Sequence, residues 1–74
     1  MPTFTVEATL RAEGVPTKAL SEILQRAEVE GWDPDIEYEP GPGSTFTFLV
    51  SEQSFDALLA KLREIYETIG NASA

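Results

Sequence analysis

The sequence predicts an α+β domain whose strands and helices follow the order β-α-β-β-α. Residues 3–12 and 45–50 alternate between apolar and polar side chains, which is typical of half-buried strands. Residues 17–30 and 52–69 instead place apolar side chains at spacings of three and four, the period of an amphipathic helix. The chain of 74 residues is 42% hydrophobic, enough for one modest core. We therefore expect a single domain over residues 1–74, with both helices packed on one face of a three-stranded antiparallel sheet.

The first strand and the first helix are separated by a short turn. Residues 3–12 place Phe4, Val6, Ala8 and Leu10 on one side, and Thr5, Glu7, Thr9 and Arg11 on the other. The helix is predicted over residues 17–30, with a stripe formed by Leu20, Ile23, Leu24 and Ala27. Pro16 suits the first helical position, and Gly31 suits a left-handed stop.

A hairpin is expected between the two helices. Residues 35–39 alternate and predict a short strand, with Ile36 and Tyr38 on its apolar side. Residues 45–50 predict the next strand, whose apolar side is formed by Phe46, Phe48 and Val50. The connection Pro40-Gly41-Pro42-Gly43 contains two prolines that restrict the backbone, so it predicts a shaped loop.

The last helix has the widest apolar stripe in the chain. It is predicted from Glu52 to Ile69, with Ser51 as its cap and Gly70 as its stop. The stripe consists of Phe55, Leu58, Leu59, Leu62, Ile65, Tyr66 and Ile69. We expect the rest of the chain to cover this stripe, and residues 71–74 to form a frayed tail.

The predicted element order resembles the ferredoxin-like plan, a split βαβ arrangement, in a form truncated by the absence of its last strand. In that topology the first strand would have an unpaired edge. Such edges can pair with another chain, so two hypotheses follow: a homodimer through strand 1, or the addition of a partner's strand.

The composition argues against catalysis and cofactor chemistry. The chain has no histidine and no cysteine, which excludes Ser/His and Cys/His nucleophile pairs, disulfides and thiolate metal sites. The acids that begin at Asp33 do not fit an EF-hand, because its sixth position requires glycine and here is Tyr38. The glycines at 41 and 43 lead into a strand and lack the lysine of a phosphate loop. We expect a protein that is not an enzyme and holds neither metal nor cofactor.

The net charge restricts the class of partner. Thirteen acidic and five basic residues give a formal charge of −8, which disfavours direct binding to nucleic acid or to anionic membranes. The same charge favours a basic protein surface. The sequence has no apolar run of membrane-spanning length and no signal-peptide pattern, so a cytoplasmic location is expected.

The clearest candidate for a binding site is an acidic run around the second strand. Six acids fall within the twelve residues 28–39, with no basic residue among them. On a strand, Asp35, Glu37 and Glu39 would share one face at steps of about 6–7 Å, comparable to the phosphate spacing along a nucleic-acid strand. A solvated sheet face without a partner is the competing interpretation. The predicted partner-binding residues are Glu28, Glu30, Trp32, Asp33, Asp35, Glu37 and Glu39.

Trp32, the only tryptophan, supports two interpretations. Its place at the turn after the first helix favours a residue that closes the end of the core. Its acidic neighbours would also suit an interface anchor.

Three functions remain open from the sequence. The first is a small acidic inhibitor that occupies a basic, nucleic-acid-binding surface of another protein by mimicry. This profile resembles that of phage and mobile-element inhibitors, including anti-CRISPR and anti-restriction proteins. The second is a dimeric ferredoxin-like module that binds a regulatory small ligand, and the third is an assembly adaptor that uses a free strand edge.

Overall fold

The structure is a computed structural model that describes residues 2–39 and 43–74. Its elements are strand β1 (Phe4–Ala12), helix α1 (Thr17–Glu30), strand β2 (Asp35–Glu37), strand β3 (Ser44–Glu52) and helix α2 (Phe55–Ser73). The strands form one antiparallel sheet in the order β1-β3-β2. The α+β class with three strands and two helices is confirmed, while residues 40–42 of the predicted loop lie outside the described residues.

The core lies between the helices and one face of β3. Phe46, Phe48 and Val50 alternate along β3 and are buried, and Ile23 of α1 and Ile65 of α2 are fully buried against the same cluster. Because every second residue of a strand points to the same side, these positions show that both helices cover one face of the sheet. The rings of Phe46 and Phe48 are nearly parallel, with centroids 6.5 Å apart.

The hairpin strands differ from their predicted lengths. β2 is shorter than expected, because only Asp35–Glu37 pair with β3. β3 is longer at both ends, because it pairs with the whole of β1, from Ala12 opposite Ser44 to Phe4 opposite Glu52. Ser51 and Glu52 therefore belong to a strand, and their assignment to the last helix is wrong.

Both predicted ends of α2 need correction. Ser54 caps the helix, with its side-chain oxygen accepting a hydrogen bond from the Ala57 amide at 3.2 Å. Gly70 does not end the helix, which continues to Ser73. The helix therefore includes residues 71–73, where the sequence predicts a frayed tail, and Ala72 of this last turn is buried in the core. A helical glycine on an exposed side interrupts nothing when the next turn still buries a side chain.

The wide stripe of α2 is only partly covered, contrary to expectation. Leu58, Ile65 and Ile69 are buried. Phe55 and Tyr66 are each 70% exposed, and Leu59 is 48% exposed. Three strands are too narrow to cover the full width of this helix face.

Candidate partner-binding surface

The acids of β2 lie on the face of the sheet opposite the helices. Asp35 pairs with Thr47 and Glu37 pairs with Thr45, while Ile36 between them faces the core beside Phe46. Both carboxylates are exposed. The alternation predicted for this strand therefore holds over its three residues, and it directs the two acids to solvent.

Hydroxyl groups and one arginine share this outer face with the acids. Thr9 of β1 lies opposite Thr47 of β3, with hydroxyl oxygens 3.3 Å apart. Arg11 lies opposite Thr45, in the same row as Glu37 but two strands away, about 10 Å at the usual strand spacing. The negative charge is therefore concentrated at the β2 edge of this face.

Glu28 and Asp33 extend the charge around that edge. They line one shallow groove together with Leu24 and Pro34 at the end of α1. Gly31 makes this approach possible, because its left-handed backbone (φ 73°) ends the helix and returns the chain toward the sheet. Asp33 also has a positive φ of 51°, a conformation that aspartate tolerates better than most residues.

Glu30 does not belong to this solvent-facing group. One of its carboxylate oxygens lies 3.4 Å from Arg26 Nε, and the other lies 3.4 Å from Lys61 Nζ. Glu64 contacts the same two cations at 3.3 Å, which closes a four-membered network between α1 and α2. The pKa of Lys61 is raised, chiefly by its hydrogen bond and charge interaction with Glu64 and then by Glu30. Assigning Glu30 to the partner surface is therefore corrected, because its charge is balanced within the chain.

Trp32 lies in the core and not on the surface. It is 2% exposed, and its ring meets Phe48 edge to face with centroids 5.8 Å apart. Its carbonyl accepts a hydrogen bond from the Leu49 amide at 2.7 Å, so the chain joins β3 even before β2 begins. The interpretation as a core-closing residue agrees with this burial. Assigning Trp32 to the partner surface is corrected, because a buried indole cannot anchor an interface.

Five of the seven predicted residues thus remain exposed around the β2 edge. We call this group the acidic margin, and it consists of Glu28, Asp33, Asp35, Glu37 and Glu39. Tyr38, on the inner side of this edge, connects the acidic margin to the segment that precedes α1. Its hydroxyl donates a hydrogen bond to the Val15 carbonyl at 2.8 Å and lies 3.1 Å from the Thr17 hydroxyl.

A second uncovered surface lies at the opposite edge of the sheet. We call it the open flank, and it combines the unpaired side of β1 with the exposed stripe of α2. Its side chains are Phe4, Val6, Leu10, Phe55, Leu59, Leu62 and Tyr66. The apolar periodicity predicts core positions for all seven, because it identifies an apolar face but not what covers that face. The predicted unpaired edge of strand 1 was the signal for this surface.

Among the described residues, no group of acids, histidines or cysteines has an arrangement that could hold a metal ion. Within the same residues, neither helix combines the length and apolar character needed to cross a membrane. Comparisons of the chain with models of protein families, with curated proteins and with solved structures found no match.

Proposed function

We propose that this protein is a non-enzymatic binding protein whose acidic margin docks onto a basic surface of another protein. The observation that carries the proposal is the concentration of exposed carboxylates around one sheet edge, while Glu30 and Glu64 are engaged with Arg26 and Lys61 elsewhere. Carboxylates that are not already balanced within the chain are the ones that attract a cationic partner.

We further propose that the basic surface is one that normally binds nucleic acid. Asp35 and Glu37 are alternate residues of β2, so their carboxylates project from one face at a step of about 6–7 Å. Phosphates along a nucleic-acid strand have a similar step. The groove shared by Glu28 and Asp33 adds an apolar floor that includes Leu24, which is 45% exposed. Such a floor gives the contact a packing component beyond charge attraction.

We also propose that the fold is a ferredoxin-like arrangement without its last strand. The sheet order β1-β3-β2, with both helices on one face, supports a ferredoxin-like plan without its last strand. In this plan β1 and β2 are the two edges, so the acidic margin and the open flank are separate surfaces. A partner bound at one of them leaves the other accessible.

The test compares capture of the partner by two variants that each replace three acidic residues with lysine, one inside the acidic margin and one outside it. The margin variant carries Asp35→Lys, Glu37→Lys and Glu39→Lys. The control variant carries Glu13→Lys, Glu22→Lys and Glu67→Lys, all exposed and outside the margin, and it changes the net charge by the same amount. Each immobilised protein is exposed to an extract of the source cells at low ionic strength, and bound proteins are identified by mass spectrometry.

We expect the wild type and the control to retain the same basic protein and the margin variant to lose it. Salt at about 1 M, where the Debye length is about 3 Å, should release it, and nucleic acid should compete for the purified partner. Retention by the margin variant would contradict the proposal. Equal loss from both variants would also contradict it, because the attraction would then depend on net charge and not on the margin.

A further inference from the structure

Along β1 the apolar core is left open to solvent at the open flank. In β3, Phe46 and Val50 are buried, but their register partners Leu10 and Val6 in β1 are only partly buried. Phe4, at the start of the same face, is 49% exposed. The apolar interior therefore continues up to β1 without being closed there.

The exposed stripe of α2 projects to the same side. The side of α2 that meets α1 contains Lys61 and Glu64, which contact Arg26 of α1. At 100° per residue, Phe55, Leu59, Leu62 and Tyr66 lie on the opposite side of the helix, away from α1. Tyr66 lines a groove with Leu10 and Ala12 of β1, which places the stripe above the free edge of the sheet.

We propose that a second copy of this chain covers the open flank, with the two β1 strands paired antiparallel about a twofold axis. The resulting sheet would be continuous across six strands, and the two α2 stripes would meet above the junction. α2 packs on β3, so pairing through β1 would place the two α2 axes about three strand spacings apart, about 14 Å. Phe55, Leu59 and Tyr66 of each copy would project into the space between the helices, above the paired β1 strands. A twofold interface of this kind requires a surface that is complementary to itself.

The sequence of β1 has this self-complementarity in one register. When Thr9 of one copy lies opposite Thr9 of the other, Glu7 of each faces Arg11 of the second copy. The same register places the small Ala8 opposite the larger Leu10 on the inner face, so bulk alternates across the junction. Arg11 also interacts within its own chain, and its five N–H donors allow both contacts.

The distribution of charge makes this edge the place where a second copy is repelled least. Two chains that each have a formal charge of −8 repel one another, so they can only associate through a locally balanced, apolar surface. The open flank is such a surface, and it lies at the edge opposite the acidic margin. Pairing through β1 would separate the two β2 strands by five strand spacings, about 24 Å, which is well beyond the Debye length of about 8 Å at physiological salt.

Sedimentation velocity on the full chain tests this proposal, which does not depend on the acidic margin. A protein concentration of about 100 µM exceeds the micromolar dissociation constants of the weaker standard-size interfaces. At this concentration the wild type should sediment at twice the monomer mass of 8.1 kDa. The flank variant Phe55→Glu/Leu59→Glu should sediment as a folded monomer, because both side chains are already exposed. The matched control Gln25→Glu/Val29→Glu adds the same two negative charges at exposed residues of α1, and it should remain a dimer.

Charge exchange across β1 tests the register itself. Glu7→Arg alone would oppose two arginines at two symmetric positions, and Arg11→Glu alone would oppose two glutamates. Each should weaken dimerisation about tenfold, and the double exchange Glu7→Arg/Arg11→Glu should restore it to within about threefold. Circular dichroism would confirm that every variant is folded. A monomeric wild type, a dimeric flank variant, or a double exchange no better than the singles would each overturn the proposed dimer.

Discussion

The two edges of the sheet show two different ways of ending it. At the β2 edge the strand has only three residues, and Trp32 and Tyr38 close the core behind it with acids facing solvent. At the β1 edge the strand has nine residues, and the apolar side chains beneath and above it remain accessible. Short, charged edges resist strand addition, whereas long, flat edges favour it. One edge is thus protected by its own chain, and the other is suited to strand pairing.

The largest expected difference concerns two phenylalanines. Phe48→Ala removes a fully buried ring beside Trp32 and should lower the free energy of unfolding by about 3–5 kcal/mol. Phe55→Ala, on the open flank, should lower it by less than about 0.5 kcal/mol. Urea denaturation at low micromolar concentration, where association contributes little, measures both values. Similar losses would show that the flank is not a separate surface.

Two tyrosines give the next contrast. Tyr38→Phe leaves the carbonyl of the buried Val15 without its donor, so the free energy of unfolding should fall by about 1–3 kcal/mol. Tyr66→Phe removes an exposed hydroxyl on the open flank and should change stability by less than about 0.5 kcal/mol. If Tyr38→Phe left the free energy of unfolding unchanged, this hydrogen bond would not contribute to closing the core at the β2 edge.

Two serines separate the observed start of α2 from the one that the sequence favoured. Ser54→Ala should cost about 1 kcal/mol, because it removes the cap of a helix that is packed along only part of its circumference. Ser51 instead lies on the outer sheet face, with its hydroxyl 2.8 Å from that of Thr5. Ser51→Ala should therefore cost less than about 0.5 kcal/mol by thermal unfolding. A larger loss of stability for Ser51→Ala than for Ser54→Ala would indicate that Ser51 is the helix cap.

The smallest effect concerns the ion pairs that hold α2 against α1. Lys61→Met should cost about 0.5 kcal/mol at neutral pH, since the network is partly exposed. Because the pKa of Lys61 is raised in the folded protein, its contribution is complete below the unfolded value of about 10.4.

The contribution of Lys61 should then disappear as the pH rises through its folded pKa. Urea denaturation of the wild type and Lys61→Met at intervals from pH 7 to about 11 measures the difference in stability. A difference that grew with alkalinity would contradict this assignment.

Local structure was largely predictable from the sequence. Helix α1 has the predicted bounds of 17–30 and ends at the left-handed Gly31, while β1 differs from prediction by one residue. These features depend on neighbouring residues alone. The start of α2 was not predictable in this way, because Ser51 and Ser54 both suit a cap. What decides between them is pairing with β1, which extends β3 to Glu52.

The candidate site was predictable only in part, for a related reason. Spacing along the chain identified the acids, but Glu30 is neutralised by Lys61 from a helix that is distant in sequence. Periodicity likewise gave the apolar width of α2, while the number of strands beneath it determines how much of that width is covered. Both shortfalls come from contacts between distant parts of the chain.

The position of the single tryptophan provides a built-in optical reporter. The indole of Trp32 is enclosed next to Phe48 on the side of the core away from the open flank. Its emission should therefore follow unfolding of the domain and respond little to self-association. Tyr66 lies on the surface that a second copy would cover, so its quenching by a soluble agent should report association instead. Tyr38 also emits, so the Tyr66→Phe variant supplies the tyrosine background, and the two signals then distinguish loss of structure from loss of assembly without a label.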